Sequence, residues 1–217
     1  MWRSVSVVGI GIVAIALSGQ AQVSAERPRP AESAAKALAV LVDTSQAMRP
    51  HVHDLRAALR GFVREMQTTH EIALIEFGER PTVLMDYTND PVRLQRGVER
   101  VFARTGSGAY TLDAIVETSK GLRNREGTHP TIVVITAEGP EFSDRYHQDV
   151  IDELKTTGAT LHALVLTSRN VSLRDSGARE REFALALGTE RSGGTREHLL
   201  SSLALEPRLR ELTTRLK

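Results

Sequence analysis

The stretch LAVLVDTSQAM, from Leu38 to Met48, decides the fold prediction for this chain. Its first half, which ends at Val42, is continuously apolar, and such runs are typical of strands covered on both faces in a parallel sheet. The acid Asp43 and the hydroxyl residue Ser45 follow at once. In open α/β sheets, ligands bind beyond the carboxyl ends of the strands. The stretch therefore predicts a buried strand that delivers oxygen atoms to a site at the edge of a sheet.

The rest of the chain alternates strand patterns with helix patterns. Further strands are predicted at Ile72–Phe77, Thr82–Tyr87, Thr131–Thr136 and Leu161–Thr167. Apolar residues at helical spacing predict helices around residues 52–66, 94–101, 112–122, 146–154, 183–187 and 205–216. A turn at residues 78–81 joins the second and third strands as a tight hairpin. This order predicts an α/β fold with an open, mostly parallel, doubly wound (Rossmann-like) sheet, one antiparallel edge strand and helices on both faces.

Two helix starts are predicted from capping residues. Asp90 followed by Pro91 is a favourable pair, because the acid accepts hydrogen bonds from the first turn and proline suits the first helical position. Ser143 or Asp144 is predicted to cap the helix that carries Tyr146.

Composition limits the classes of partner. The chain has 217 residues, which suits one domain plus a short extra segment. Its 28 basic and 27 acidic residues give a net charge of +1, and aromatic residues make up 4%, so nucleic acid is not predicted as a partner. The chain has no Cys, which excludes disulfides and thiolate metal sites.

The N-terminal residues predict export. A short basic start, an apolar run from Val5 to Leu17 and small residues up to Ala25 follow the order of a secretory signal peptide. An uncleaved N-terminal anchor is the alternative. We predict a signal peptide at residues 1–25, a proline-containing linker at 26–36 and one domain at 37–217, in a secreted or periplasmic protein. No membrane contact is predicted beyond the signal segment.

Oxygen-bearing side chains follow the predicted strands in three loops. The first loop carries Asp43 and Ser45, a Gly-rich second loop ends in Thr111, and the third loop, after the strand TIVVIT, carries Glu138. Carboxylate and hydroxyl oxygens on separate rigid elements are ligands that Mg²⁺ accepts, with waters completing an octahedron. The three loops therefore form a candidate magnesium site.

Four segments carry a resemblance to a known family. LVDTSQAM, GSGAYTLDAI, VVITAEG and RSGGTREHLL together resemble the von Willebrand factor type A domain, which is also seen as the inserted domain of integrins. The resemblance covers the chain from about Leu38 to Leu216. It implies the α/β fold described above, a metal-ion-dependent adhesion site and a protein-binding function.

The resemblance also implies a degenerate metal site. Asp43 and Ser45 match the first two ligand positions of the family, and Thr111 matches the hydroxyl of the second loop. Ala47 stands where the family has a second Ser. The third loop has Ala137 where the acid belongs, or has Ala137 inserted before a replacing Glu138. Loss of a group at a metal site commonly weakens binding roughly 10- to 100-fold, so we predict weak or absent Mg²⁺ binding.

Other interpretations of these residues remain open at this stage. Asp43 could cap the helix that starts near Met48, and Thr111 could be only a helix cap. A metal-assisted hydrolase could use Ser45 or Glu138, although no acid–base partner of Ser45 follows from spacing. A structural component of an envelope assembly, with a vestigial site, is a further alternative.

The segment after the predicted strand at Thr167 is rich in arginine. Arg169 and Arg174 could form a basic rim for an acidic partner, or lie in a solvated charged loop. The function predicted from the whole sequence is an exported, non-enzymatic protein-binding module for adhesion or scaffolding. The identity of its protein partner does not follow from the sequence.

Overall fold

A computed structural model describes residues 36–123, 125, 129–167 and 175–217 of the chain. The predicted signal peptide, Arg169 and Arg174 lie outside the described residues, as does the predicted linker up to residue 35. Lys36, the last residue of the predicted linker, is instead the first residue of a strand and pairs with His70.

Six strands form one sheet. They are β1 (Lys36–Val42), β2 (His70–Glu76), β3 (Thr82–Thr88), β4 (Thr131–Ala137), β5 (Thr160–Leu166) and β6 (Arg196–Leu199). Their order is β3-β2-β1-β4-β5-β6. Only the β2–β3 pair is antiparallel; the other pairs of this sheet are parallel. The predicted mostly parallel sheet with one antiparallel edge strand is confirmed.

Helices cover both faces of the sheet, as predicted. They are α1 (Val52–Met66), α2 (Pro91–Glu99), α3 (Thr111–Leu122), α4 (His147–Thr157), α5 (Ser176–Ser192) and α6 (Leu205–Leu216). Apolar residues of α1, α2 and α6 pack in one core, and those of α3, α4 and α5 pack in a second core on the opposite face. Among the described helices, none combines the length and the apolar character needed to span a membrane.

Two helix ends differ from the sequence predictions. The sequence pattern predicts that this helix continues to Val101, but α2 ends at Glu99. Val101 is buried just beyond its end. The cap predicted for α4 was wrong, because Tyr146 occupies that position and its N–H donates to Asp149. The Ser143 hydroxyl lies instead at the start of α3. The predicted cap of α2 is correct: the Asp90 carboxylate accepts hydrogen bonds from the first turn.

The topology brings the loops after the strands to one edge of the sheet. Strands β1, β2, β4, β5 and β6 run in the same direction, so their carboxyl ends meet there. Backbone hydrogen bonds then join the loops: Gln46 N–H donates to Ser107 O (3.2 Å), and Ala109 N–H donates to Pro140 O (2.9 Å). The loops that follow β1, α2 and β4 therefore form one connected surface.

Candidate functional site

Asp43 lies at the carboxyl end of β1 and is fully buried. Its Oδ1 accepts a hydrogen bond from Ser45 N–H (2.7 Å). Its Oδ2 accepts from the Thr136 hydroxyl (2.8 Å) and from Ala137 N–H (3.1 Å) at the end of β4. The two contacts of Oδ2 fasten β1 to β4. The helix that follows Asp43 is a 3-10 helix at Gln46–His51; its N-cap residue is Ser45, and no side chain among the described residues caps it. The interpretation of Asp43 as a helix cap is therefore wrong.

Thr111 is the first residue of α3 and is also fully buried. Its N–H donates to Glu141 Oε1 (2.8 Å), and the next two N–H groups, of Leu112 and Asp113, donate to Ser143 Oγ (3.0 and 3.2 Å). The cap of α3 thus comes from the loop after β4, and the capping interpretation of Thr111 is wrong. Within the described ranges, the Thr111 hydroxyl has no hydrogen-bond partner.

Glu141 is a site residue that the sequence analysis missed. Its Oε1 also accepts from the Ser143 hydroxyl (2.6 Å), and its Oε2 lies 3.8 Å from Nη1 of Arg181 in α5. Arg181 Nη1 donates to Gly139 O (3.0 Å). Both side chains are buried, with 1% of Glu141 and 5% of Arg181 exposed. Burial raises the pKa of Glu141 to about 6, although Ser143, Thr111 and Arg181 act in the opposite direction.

The third loop carries Ala137 and Glu138 at the end of β4. Ala137 is buried and carries no oxygen on its side chain. Glu138 N–H donates to Leu166 O (2.9 Å), and Glu138 Oε1 lies 3.9 Å from His198 Nδ1. His198 belongs to β6, whereas Asp43 follows β1 on the other side of β4. The Glu138 carboxylate therefore has a contact on the β6 side of β4.

Ala47 packs against the same loop. A Cβ atom added to Gly139 would lie 2.6 Å from the Cβ of Ala47, closer than two carbon atoms can approach. The methyl group of Ala47 thus faces the backbone of the loop after β4, and it packs on the apolar core. This contact is apolar where the family pattern has a hydroxyl.

These residues fit a strong magnesium site poorly. Mg²⁺ requires near-octahedral oxygen ligands and usually one or two carboxylates. Asp43 already accepts three hydrogen bonds from the protein, and Glu138 Oε1 lies 3.9 Å from His198 Nδ1. In the part of the chain that the structure describes, no group of three or more His, Cys, Asp or Glu side chains is arranged to hold a metal ion. The buried Thr111 hydroxyl is the feature that such an ion would satisfy.

Aromatic side chains surround the loop after β4, and we call Tyr110, Phe142, Tyr146 and Phe183 the aromatic rim. Tyr110 and Phe142 meet edge to face with ring centroids 6.2 Å apart, and Phe183 lies 5.6 Å from the ring of His147. Phe142, Tyr146 and Phe183 are exposed by 53%, 68% and 51%. Large exposed aromatic groups of this kind are enriched at protein interfaces.

Comparison with known proteins identifies the family. The sequence model of the von Willebrand factor type A domain matches residues 38–140, which run from β1 to the loop after β4. The chain contains a von Willebrand factor type A domain. The comparison with curated proteins found no match.

Solved structures with the same fold have low sequence identity to this von Willebrand type A domain. A von Willebrand factor type A protein from Catenulispora acidiphila has a TM-score of 0.61 at 14% identity, covering 82% of this chain and 42% of its own. Conserved hypothetical protein BatB from Bacteroides thetaiotaomicron has a TM-score of 0.61 at 14% identity, covering 83% and 98%. The pilus adhesin SpaC from Lactobacillus rhamnosus GG has a TM-score of 0.65 at 14% identity, covering 84% and 30%. The chain thus spans less than half the length of the first and third of these proteins.

Proposed function

We propose that this chain is an exported, non-enzymatic protein-binding module for adhesion or scaffolding, and that its binding face is the aromatic rim. The observation that carries the proposal is the exposure of Phe142, Tyr146 and Phe183 beside the sheet-edge loops. The chain has 5 Phe, 3 Tyr and 1 Trp, and four of these nine residues form the aromatic rim. Exposed aromatic residues that become buried in a complex commonly dominate its binding energy.

Other proteins with this fold support the same class of function. A pilus adhesin shares it, and the sequence pattern of residues 1–25 is that of an exported protein. A fold by itself hosts many functions, so the argument depends on the exposed side chains and not on the fold alone.

Binding by this module should not depend on a divalent metal. The Asp43 carboxylate is held by Ser45, Thr136 and Ala137, and a guanidinium group from Arg181 already supplies positive charge to the loop after β4. The loops at the sheet edge are therefore joined by protein groups, which is the role that a bound ion would otherwise have.

Capture from the native envelope tests the proposed binding face. The full chain would be used as bait, with millimolar Mg²⁺ or with EDTA, beside the double variant Phe142→Ser and Tyr146→Ser. Val92→Ser is the matched control, because Val92 is 56% exposed and lies in the first turn of α2, at the opposite edge of the sheet. We expect the same captured protein in both buffers, a loss of about tenfold or more for the rim variant, and no loss for the control. If the rim variant still captures the protein, the aromatic rim is not the binding face. If capture is lost in EDTA, binding does depend on a divalent metal.

Thermal melting tests the metal site directly. A site whose Kd exceeds the working metal concentration stabilises a protein by less than about 0.4 kcal/mol, so melting in Mg²⁺ and in EDTA should coincide. Restoring both missing ligands, with Ala47→Ser and Ala137→Asp together, should create a dependence on Mg²⁺. A rise in melting temperature with Mg²⁺ in the unmodified chain, abolished by Glu138→Ala, would make Glu138 a replacement ligand and contradict the proposal.

A further inference from the structure

A cleft lies between the end of α2 and β3. It shares the loop after α2 with Tyr110, but none of its lining residues belongs to the aromatic rim. It has a volume of about 450 Å³ and is lined by Glu76, Leu84, Arg100, Phe102 and Arg104. Ligand-binding clefts of proteins commonly have volumes of about 300–1,000 Å³, with an apolar lining and a few placed polar groups. Leu84 and Phe102 supply the apolar lining here, and the arginines supply the polar groups.

Phe102 is an exposed aromatic residue that the structure holds in place. Its side chain is 59% exposed. The guanidinium carbon of Arg56 lies 4.1 Å from the centroid of its ring, and Arg56 Nε donates to Val101 O (2.7 Å). A cation over an aromatic face is an attractive contact, and a fixed ring loses little conformational entropy when a partner binds. Phe102 is therefore prepared for contact with an apolar group.

The charges around the cleft are unbalanced. Arg104 is compensated, because Nη2 lies 2.8 Å from Glu76 Oε1 and Nη1 lies 3.6 Å from Glu79 Oε2. Arg100 Nη1 donates to Leu84 O (2.8 Å), which orients the guanidinium without neutralising it. Within the described part of the chain, neither Arg56 nor Arg100 forms an ion pair with a carboxylate. Two guanidinium charges thus flank the exposed ring.

The outer face of α2 has the same sign of charge. Arg93 and Arg96 are exposed there and, among the described residues, also form no ion pair, whereas Glu99 is paired with Arg60 (2.8 Å). A surface of one sign attracts a partner of the opposite sign and speeds its association.

We propose that this cleft binds an acidic segment of a partner protein in which a carboxylate lies next to a large apolar side chain. The carboxylate would bind Arg100, because a planar guanidinium matches a carboxylate in two-point hydrogen bonding. The apolar side chain would pack on Phe102 and Leu84. A small cleft with an apolar lining and one exposed ring suits such a peptide better than a nucleic acid, which needs a long basic groove with several stacking rings. This cleft contains no residue of the aromatic rim, and its occupant is inferred without the proposed function there.

Selection of short random peptides, displayed on phage and bound to the full chain, tests the proposal. Enriched peptides are synthesised with a fluorescent label, and their affinities are measured by anisotropy for the unmodified chain and for Arg100→Gln and Phe102→Ala. Arg100→Gln removes the charge but keeps a polar side chain at an exposed position. Arg210→Gln is the control, since Arg210 is an exposed arginine on α6, where it pairs with Glu206.

The proposal predicts enriched peptides with Asp or Glu beside a Phe, Leu, Ile or Trp residue, and weaker binding at higher salt. Arg100→Gln and Phe102→Ala should each reduce the affinity about tenfold or more, and Arg210→Gln should leave it unchanged. The proposal is wrong if the selection enriches no peptide or enriches peptides without an acidic residue. It is also wrong if the enriched peptides bind Arg100→Gln as tightly as they bind the unmodified chain. If Phe142→Ser and Tyr146→Ser abolish peptide binding, the peptide binds the aromatic rim and the proposal is wrong. If an oligonucleotide binds with the same affinity as the peptide and also requires Arg100, the cleft recognises polyanions in general and not an acidic peptide.

Discussion

The buried carboxylate of Glu141 should make the stability of this domain depend on pH, and Glu141→Gln should remove that dependence. The variant retains an oxygen that can accept hydrogen bonds from Thr111 N–H and from the Ser143 hydroxyl. It cannot carry a negative charge. Comparison of the two proteins therefore isolates the effect of charging this one buried group.

The size of the effect follows from the change in pKa. Burial raises the pKa of Glu141 from 4.5 to about 6, so the folded protein binds the proton more tightly than the unfolded chain. The resulting stability is fully present below pH 4.5 and is lost as the pH rises through about 6. One pKa unit corresponds to about 1.36 kcal/mol, so the loss should be about 2 kcal/mol.

Urea unfolding of both proteins at a series of pH values measures this loss. The free energy of unfolding of the unmodified chain minus that of Glu141→Gln should fall by about 2 kcal/mol as the pH rises through this window. Glu180→Gln is a control with the opposite sign, because hydrogen bonds from His147 N–H and its ring lower the pKa of Glu180. For that pair of proteins the difference should fall as the pH decreases below 4.5.

The result that would refute the reasoning is a difference between the unmodified chain and Glu141→Gln that stays constant across the window. A difference that increases with pH would also refute it, because it would mean that Arg181 and the donors around Glu141 outweigh burial. Either result would mean that the groups around Glu141 stabilise its charged form enough to offset the effect of burial on its pKa.

Two further substitutions test the packing of the sheet edge. Thr136→Val removes the hydroxyl that donates to the buried Asp43 carboxylate, so we expect a loss of about 1–3 kcal/mol in urea unfolding; unchanged stability would contradict the role of that hydrogen bond. Gly139→Ala places a methyl group 2.6 Å from the Cβ of Ala47, so we expect a loss of about 1–3 kcal/mol that Ala47→Gly recovers in part. Strictly additive effects of these last two substitutions in a double-mutant cycle would argue against direct contact.

The sheet could be predicted because its central strands carry strong local signals. Runs such as Thr131–Ala137 are buried on both faces, and burial on both faces imposes continuous apolar sequence. Strand β6 was missed because Arg196–Leu199 is short and mostly polar, and it is a strand only through its pairing with β5. Gly194, just before β6, is required for a steric reason: a Cβ at this position would lie 1.7 Å from the carbonyl oxygen of Leu161.

The site could be predicted only in part, for a related reason. Asp43 follows β1 and Thr111 begins α3, and the strand order fixes where these positions lie, so both could be predicted at this edge of the sheet. The proposed sharing of one metal ion by these residues and Ser45 stays a prediction. Glu141 gave no signal, because its importance comes from burial against Arg181 of a distant helix. Ser143 gave a capping signal, but a sequence cannot say which helix a serine caps when the partner is remote.

The remote cap of α3 also has a consequence for the order in which the chain folds. The first three N–H groups of this helix find their acceptors 30, 31 and 30 residues further along the chain, in Glu141 and Ser143. Contacts of such sequence separation form only after the loop-closure entropy has been overcome. A nascent chain that ends before Ser143 therefore has an α3 with an incomplete first turn. Completion of that turn coincides with docking of the loop after β4, so the two loops of the sheet edge are expected to become ordered in a single late step.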